Sequence, residues 1–227
     1  MPNPMNPLIV QSDKSVLLEV DNPRYEEARD SLARFAELVK SPEYVHTYRV
    51  SPLSLWNAAA VGISAREVID ALEEFAKYPI PSNVSREIVE YMDRYGRITL
   101  FSEGEDMLLQ FEEEDLAVEV AQNSKVQEYI VEQVDERTFL IDPIQRGFIK
   151  HALLELGHPV EDLAGYVEGE ALPFEIRETT LEGSPFDLRE YQKEAVATFY
   201  AGGGVRGGSG VVVLPCGAGK TMVGIGA

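Results

Sequence analysis

Gly210-Val211-Val212-Val213-Leu214-Pro215-Cys216-Gly217-Ala218-Gly219-Lys220-Thr221 is the stretch on which the reading of this chain turns. Its uninterrupted apolar run, 211–214, suits a strand buried on both faces in a parallel sheet. A tight glycine-rich turn and a Lys-Thr pair opening a helix follow, which is the order of a phosphate-binding loop. In such a loop Gly217 and Gly219 let backbone amides face inward around an anion, with Pro215, Cys216 and Ala218 shaping the turn between them. Lys220 supplies a point positive charge to the β- and γ-phosphates, and Thr221 offers a hydroxyl to magnesium. The expected ligands are therefore a nucleoside triphosphate and magnesium. The strict pattern GxxxxGK[ST] opens on glycine, and this sequence has Leu214 there. Cys216 has two readings, a thiol activated by the nearby lysine or a small residue filling the turn, and the second is preferred.

Working outward, Leu188, Tyr191, Ala195, Val196 and Phe199 fall at helical spacing. Between that helix and the strand, Gly202-x-Gly204-x-x-Gly207 formally matches a dinucleotide fingerprint, but it follows a helix and precedes a strand, the reverse of what the fingerprint needs. It is read as a connector. Residues 171–187, with Pro173, Pro185 and Gly183 among polar neighbours, have linker chemistry. The expected domains are 1–122, 123–170 and 188–227, the last being the opening of an α/β motor unit.

The first of these begins with two short strands in 8–10 and 16–20 and a helix over 24–40 carrying Tyr25, Ala28, Leu32, Phe35, Ala36 and Val39. A strand at 45–50 precedes three helices. Ser51-Pro52 starts one. Ser64 and Glu67 form a capping box for the next, and the third runs from about Ser82 to Tyr95. A hairpin over 97–111 completes residues 51–111 as a winged-helix outline. The third helix of such a module often enters a DNA groove, yet here Arg86 and Arg94 face Glu87, Glu90 and Asp93. The run Glu112-Glu113-Glu114-Asp115 reads as the solvated start of a helix. A hairpin at 129–141 and a helix from Pro143 to Leu156, whose stripe of Ile144, Phe148, Ile149, Ala152, Leu153 and Leu156 is taken as core, make a small α/β unit. The fold class is α+β.

Composition narrows the functions. The 227 residues carry 20 basic and 39 acidic side chains, a net charge of −19, which opposes nonspecific adhesion to phosphate backbones or anionic lipid. One cysteine precludes an intrachain disulfide, and His46, His151 and His158 lack metal-ligand spacing. The amino terminus has no secretory pattern, and no apolar run reaches the roughly 20 residues of a membrane span, so a cytoplasmic location is expected.

Leu188 to Val196 (LREYQKEAV), followed by GVVVLPCGAGKT, resembles the start of the first motor domain of superfamily-two helicases, and the wording LPCGAGKT resembles the XPB family. Tyr44 to Ser64 and Asp162 to Ile176 also look like that family, the latter like its bacterial members. The resemblance implies a RecA-like motor domain from 188 and a damage-recognition-like region over 123–170. It places Arg189 and Gln192 near the adenine, Tyr191 beside them, and Gly217, Gly219, Lys220 and Thr221 on triphosphate and magnesium. It further implies 3′-to-5′ DNA translocation in repair or transcription-linked opening, with DNA as partner and a repair nuclease or transcription/repair protein on the amino-terminal domains. The acidic pair and arginine finger that such motors need would follow Ala227, so residues 1–227 alone are expected to be inactive as an ATPase. The competing expectation is a protein-docking module with a vestigial loop.

Overall fold

Two short runs of apolar, largely β-branched and leucine residues at the amino terminus form a hairpin in the computed structural model, which describes residues 3–165, 176–200, 212, 214 and 217–227. Strands β1 (Leu8–Val10) and β2 (Ser15–Glu19) pair antiparallel, Leu8 opposite Leu18 and Val10 opposite Val16. Helix α1 (Tyr25–Leu32) crosses to β3 (Glu37–Lys40) and β4 (Val45–Arg49), giving a four-stranded sheet in the order β1-β2-β4-β3. The helix expected over 24–40 therefore ends at Leu32. Residues 37–40 are taken instead by the free edge of β4, where Glu37 pairs with Arg49 and Leu38 with Tyr48. Tertiary pairing here outweighs helical spacing, and Val39, expected inside, is half exposed at 50%.

Three helices follow: α2 (Pro52–Ala60), α3 (Ala65–Phe75) and α4 (Ser82–Met92). Ser51 and Ser54 exchange backbone-to-hydroxyl bonds of 3.1 and 3.0 Å at the start of α2. At the start of α3 the Glu67 amide donates to the Ser64 hydroxyl at 3.2 Å and the Ser64 amide to the Glu67 carboxylate at 2.8 Å, as the sequence predicts. The indole of buried Trp56 donates to the Tyr91 carbonyl at 2.8 Å and ties α2 to α4. Leu8, Leu18, Leu32, Leu55, Leu72 and Ile88 are almost wholly buried in this first core, each contributing about 1.5–3 kcal/mol.

A second core begins at Ile98. Strands β5 (Ile98–Glu103) and β6 (Asp106–Phe111) form the expected hairpin, with Gly104 at positive φ in its turn. Helices α5 (Glu114–Ala121) and α6 (Ser124–Gln127) lead to β7 (Ile130–Gln133) and β8 (Thr138–Ile141). A 3₁₀ turn at Pro143–Gln145 then enters α7 (Arg146–Glu155), and the short β9 (Glu161–Asp162) closes a five-stranded sheet, β7-β8-β6-β5-β9. The hairpin expected as a wing on the three helices thus belongs elsewhere. Its Ile98, Leu100, Leu109 and Phe111 are buried with Phe139, Ile141, Ile149 and Leu153. The cause is pairing: Met107 and Leu109 of β6 lie opposite Ile141 and Phe139 of β8, and a two-stranded hairpin alone is marginal. The cores divide near residue 95, whereas the expected boundary stood at 122.

The expected stripe on α7 also divides. Ile149, Ala152 and Leu153 are buried, but Ile144 is 82% exposed and Phe148 62%. Successive helical residues are about 100° apart, so Phe148 leaves the inner face that Ile149 occupies and stacks instead on the Tyr129 ring, 6.5 Å between centroids.

The chain separates into two compact units, Met1–Ala164 and Gly165–Ala227. The second contains α8 (Glu190–Tyr200) and α9 (Lys220–Gly226). Of the strand expected at 211–214, Val211 and Val213 lie outside the described residues, as do Pro215, Cys216, the connector 201–210 and residues 166–175. No helix among the described residues is long and apolar enough to cross a membrane.

Candidate functional site

Helix α8 carries two polar side chains to the glycine-rich turn before α9. At its start the Gln192 carboxamide does two things. Its Oε1 accepts from the Arg189 backbone amide at 2.9 Å, satisfying a donor that the helix start leaves open. Its Nε2 donates to the Ala218 carbonyl at 2.9 Å and reaches the Gly219 carbonyl at 3.5 Å. Gln192 is 5% exposed, a buried polar group with its hydrogen bonds made. The Tyr191 hydroxyl donates to the same Ala218 carbonyl at 2.8 Å and receives Arg189 Nη1 at 3.1 Å.

On the loop side, Gly217 and Gly219 have φ of +81° and +78°, the left-handed region that favours glycine. A Cβ on Gly217 would meet nothing within 4 Å, whereas one on Gly219 would lie 2.6 Å from Gln192 Nε2. Gly219 is favoured by its backbone angle, and a Cβ there would also push the Gln192 carboxamide aside. Lys220 and Thr221 open α9 and are exposed. Below them Phe199, Val212, Lys220, Val223, Gly224 and Ala227 line a cleft of about 300 Å3.

The nearest other cation of α8 is committed elsewhere. Lys193 bonds Asp187 at 2.7 Å and Glu190 at 3.4 Å. The Lys193 hydrogen bond holds the Asp187 carboxyl below the usual carboxylate range. No group of three or more His, Cys, Asp or Glu among the described residues is arranged to hold a metal.

Of the residues expected at the site, Arg189, Gln192, Ala218 and Gly219 are brought together with Tyr191 through hydrogen bonds, and Gly217, Lys220 and Thr221 adjoin them in the chain. Pro215 and Cys216 lie outside the described residues. Sequence spacing alone would leave Gln192 facing solvent. The structure buries it, because its partner is a carbonyl 26 residues away.

A separate charged cluster went unrecognised in the sequence. Asp162 of β9 receives Arg146 at 2.8 and 2.9 Å and Lys150 at 2.6 Å. Burial pushes its carboxyl up, but the Arg146 and Lys150 hydrogen bonds outweigh that and hold it below the usual range. The available signal was the i, i+4 spacing of Arg146 and Lys150, two cations on one helical face.

Comparison with known proteins agrees with the motif wording. The family profile described as helicase conserved C-terminal domain matches residues 8–135. The chain is 47% identical over 219 residues to the protein named DNA 3'-5' helicase XPB of Mycobacterium tuberculosis, covering 96% of this chain and 38% of the relative. The protein of the same name from Kineococcus radiotolerans has the same identity and coverage. The general transcription and DNA repair factor IIH helicase/translocase subunit XPB of Antonospora locustae is 31% identical over 229 residues, 96% of this chain and 32% of that one. The chain thus spans about two fifths of the length of its bacterial relatives. With identity at that level along nearly its whole length, the chain belongs to the XPB family of superfamily-two DNA helicases.

Proposed function

We propose that the chain is the amino-terminal part of an ATP-dependent DNA helicase or translocase working 3′ to 5′ in DNA repair or transcription-linked opening. The observation that carries this reading is the clamp of Gln192 on Ala218 and Gly219 beside the two left-handed glycines, in a chain with the family's loop wording. The residues present fit a nucleoside triphosphate. Gly217 and Gly219 have the left-handed backbone of such a loop, Lys220 provides the charge, and Thr221 provides the hydroxyl for magnesium. By the family resemblance, Arg189 and Gln192 serve the adenine. Bound magnesium would neutralise charge on the β- and γ-phosphates.

On this reading residues 188–227 open a RecA-like motor domain, 123–170 include the damage-recognition-like part, and α2 to α4 relate to a winged helix. DNA is the partner of the whole protein. Residues 1–227 alone bind nucleotide and DNA weakly and do not hydrolyse ATP, since phosphoryl transfer needs a metal-binding acidic pair and an arginine finger as well.

The test uses the full-length protein. DNA-stimulated ATP hydrolysis and displacement of a strand from a duplex with a 3′ tail are expected, both abolished by Lys220→Ala. ATP turnover indifferent to DNA, with no strand displacement, would overturn the reading.

A second reading, docking of a repair nuclease or another transcription/repair protein, is favoured by the exposed Val131, Ile144 and Phe148 in a chain of net charge −19. Salt dependence separates the two, because phosphate contacts give a steep negative slope of log affinity against log salt.

A further inference from the structure

We propose that Tyr191 is a positioning residue for the phosphate loop, acting with Gln192 to clamp the Ala218 carbonyl so that the Gly219 amide is turned toward bound phosphates. The inference rests on the nucleotide-binding reading of that loop. Its basis is double donation: the Tyr191 hydroxyl at 2.8 Å and Gln192 Nε2 at 2.9 Å reach one oxygen. A carbonyl oxygen has two lone pairs, and here both are engaged from α8.

The peptide joining Ala218 to Gly219 is planar and trans. Fixing its C=O toward α8 therefore fixes the Gly219 N–H on the opposite side, away from α8. One donor would leave the peptide plane free to rock about that single bond. Two donors from consecutive residues, which leave a helix about 100° apart, hold it from two directions.

Arg189 sets the direction of the phenol. Its Nη1 donates to the Tyr191 oxygen at 3.1 Å, so the one hydroxyl proton is left for Ala218. Gly219 completes the fit, since any side chain there would displace the Gln192 carboxamide. A tyrosine that only packed its ring would need neither the guanidinium behind its oxygen nor the carbonyl ahead of it.

The experiment compares Tyr191→Phe, Tyr191→Met and Lys220→Ala in the full-length protein. The KM for ATP and kcat are measured in DNA-stimulated hydrolysis, ADP affinity by calorimetry, and the melting temperature without nucleotide. Loss of one hydrogen bond predicts that Tyr191→Phe raises KM and the ADP Kd about three- to tenfold. Because the contact is made in ground and transition states alike, kcat should stay within about twofold. The nucleotide-free melting temperature should move by no more than about 2 °C. Tyr191→Met, which removes ring and hydroxyl, should weaken ADP to a similar degree.

Unchanged KM and ADP affinity in Tyr191→Phe, with loss confined to Tyr191→Met, would assign the residue to packing and sink the proposal. That result would leave the nucleotide reading standing as long as Lys220→Ala abolishes ADP binding. ADP affinity unaltered by Lys220→Ala would overturn the reading of the loop, and the role of Tyr191 with it.

Discussion

Residues 3–164 hold their shape by burying two apolar cores, whereas among the described residues of 176–227 Val223 is the one buried hydrophobic and Gln192 the one buried polar group. The loop keeps its form through directional bonds to Ala218 and Gly219, made by Tyr191 and Gln192. Two kinds of sensitivity follow. A core is hurt by lost volume and tolerates polar change at its rim. A hydrogen-bonded loop is hurt by a misplaced atom and has little volume to lose.

Substitutions that respect one rule and violate the other put this contrast to the test. Leu72→Ala removes a wholly buried side chain of the first core and should lower stability by about 2–5 kcal/mol, read by urea unfolding. A loss below the cost of an exposed substitution would mean that the core collapses around the gap. Gly219→Ala adds a single methyl, yet it meets a φ of +78° and Gln192 Nε2 at 2.6 Å. It should weaken nucleotide binding at least about tenfold, with a stability cost of only about 1–2 kcal/mol. Equal affinity in the variant would show that the clamp is dispensable.

Asp162 stands between the two regimes, a largely buried charge held by hydrogen bonds on an edge strand. Its carboxyl is lowered from an ordinary value of 3.8 by Arg146 and Lys150 against the effect of burial. Unfolding releases it to the ordinary value, so its contribution is fully present above about pH 4 and fades as pH falls through the lower, folded value. Asp162→Asn should flatten that acid limb and cost about 1–2 kcal/mol at neutral pH, reduced from the buried-pair figure because Arg146 and Lys150 keep partial access to water. An unchanged limb in acid denaturation would assign the acid sensitivity to other carboxylates. The smallest effect belongs to Ser64→Ala, which removes half of the α3 capping box for about 1 kcal/mol; thermal melting reads it.

How much could be read in advance follows the range of the interaction. The Ser64–Glu67 box, the β5–β6 hairpin and the left-handed glycines of the loop are settled within a few residues, and the sequence announces each of them. Residues 37–40 depart from their helical spacing because their conformation is set by β4, an edge that periodicity does not contain. The same holds for the hairpin 98–111, whose company is chosen by β8; Ile144, in the 3₁₀ turn, and Phe148, one step round α7 from Ile149, are exposed instead of joining the core. At the site, Gly217, Gly219, Lys220 and Thr221 were evident as a local pattern. The importance of Gln192 came only through family resemblance, since nothing near it in the chain foretells a carbonyl 26 residues on.

Strand β9 also sets a load path. It runs parallel to β5 at the edge of its sheet, Glu161 opposite Thr99 and Asp162 opposite Leu100, and the Leu163 amide adds a 2.7 Å bond to the Leu100 carbonyl just before the chain leaves the first unit at Ala164. Tension arriving along the backbone from residue 165 onward therefore meets the Ala164 and Leu163 bonds to β5, then the β9 ladder and the Asp162 tether to α7. Pulling on that segment is expected to peel β9 from β5 before either core is sheared.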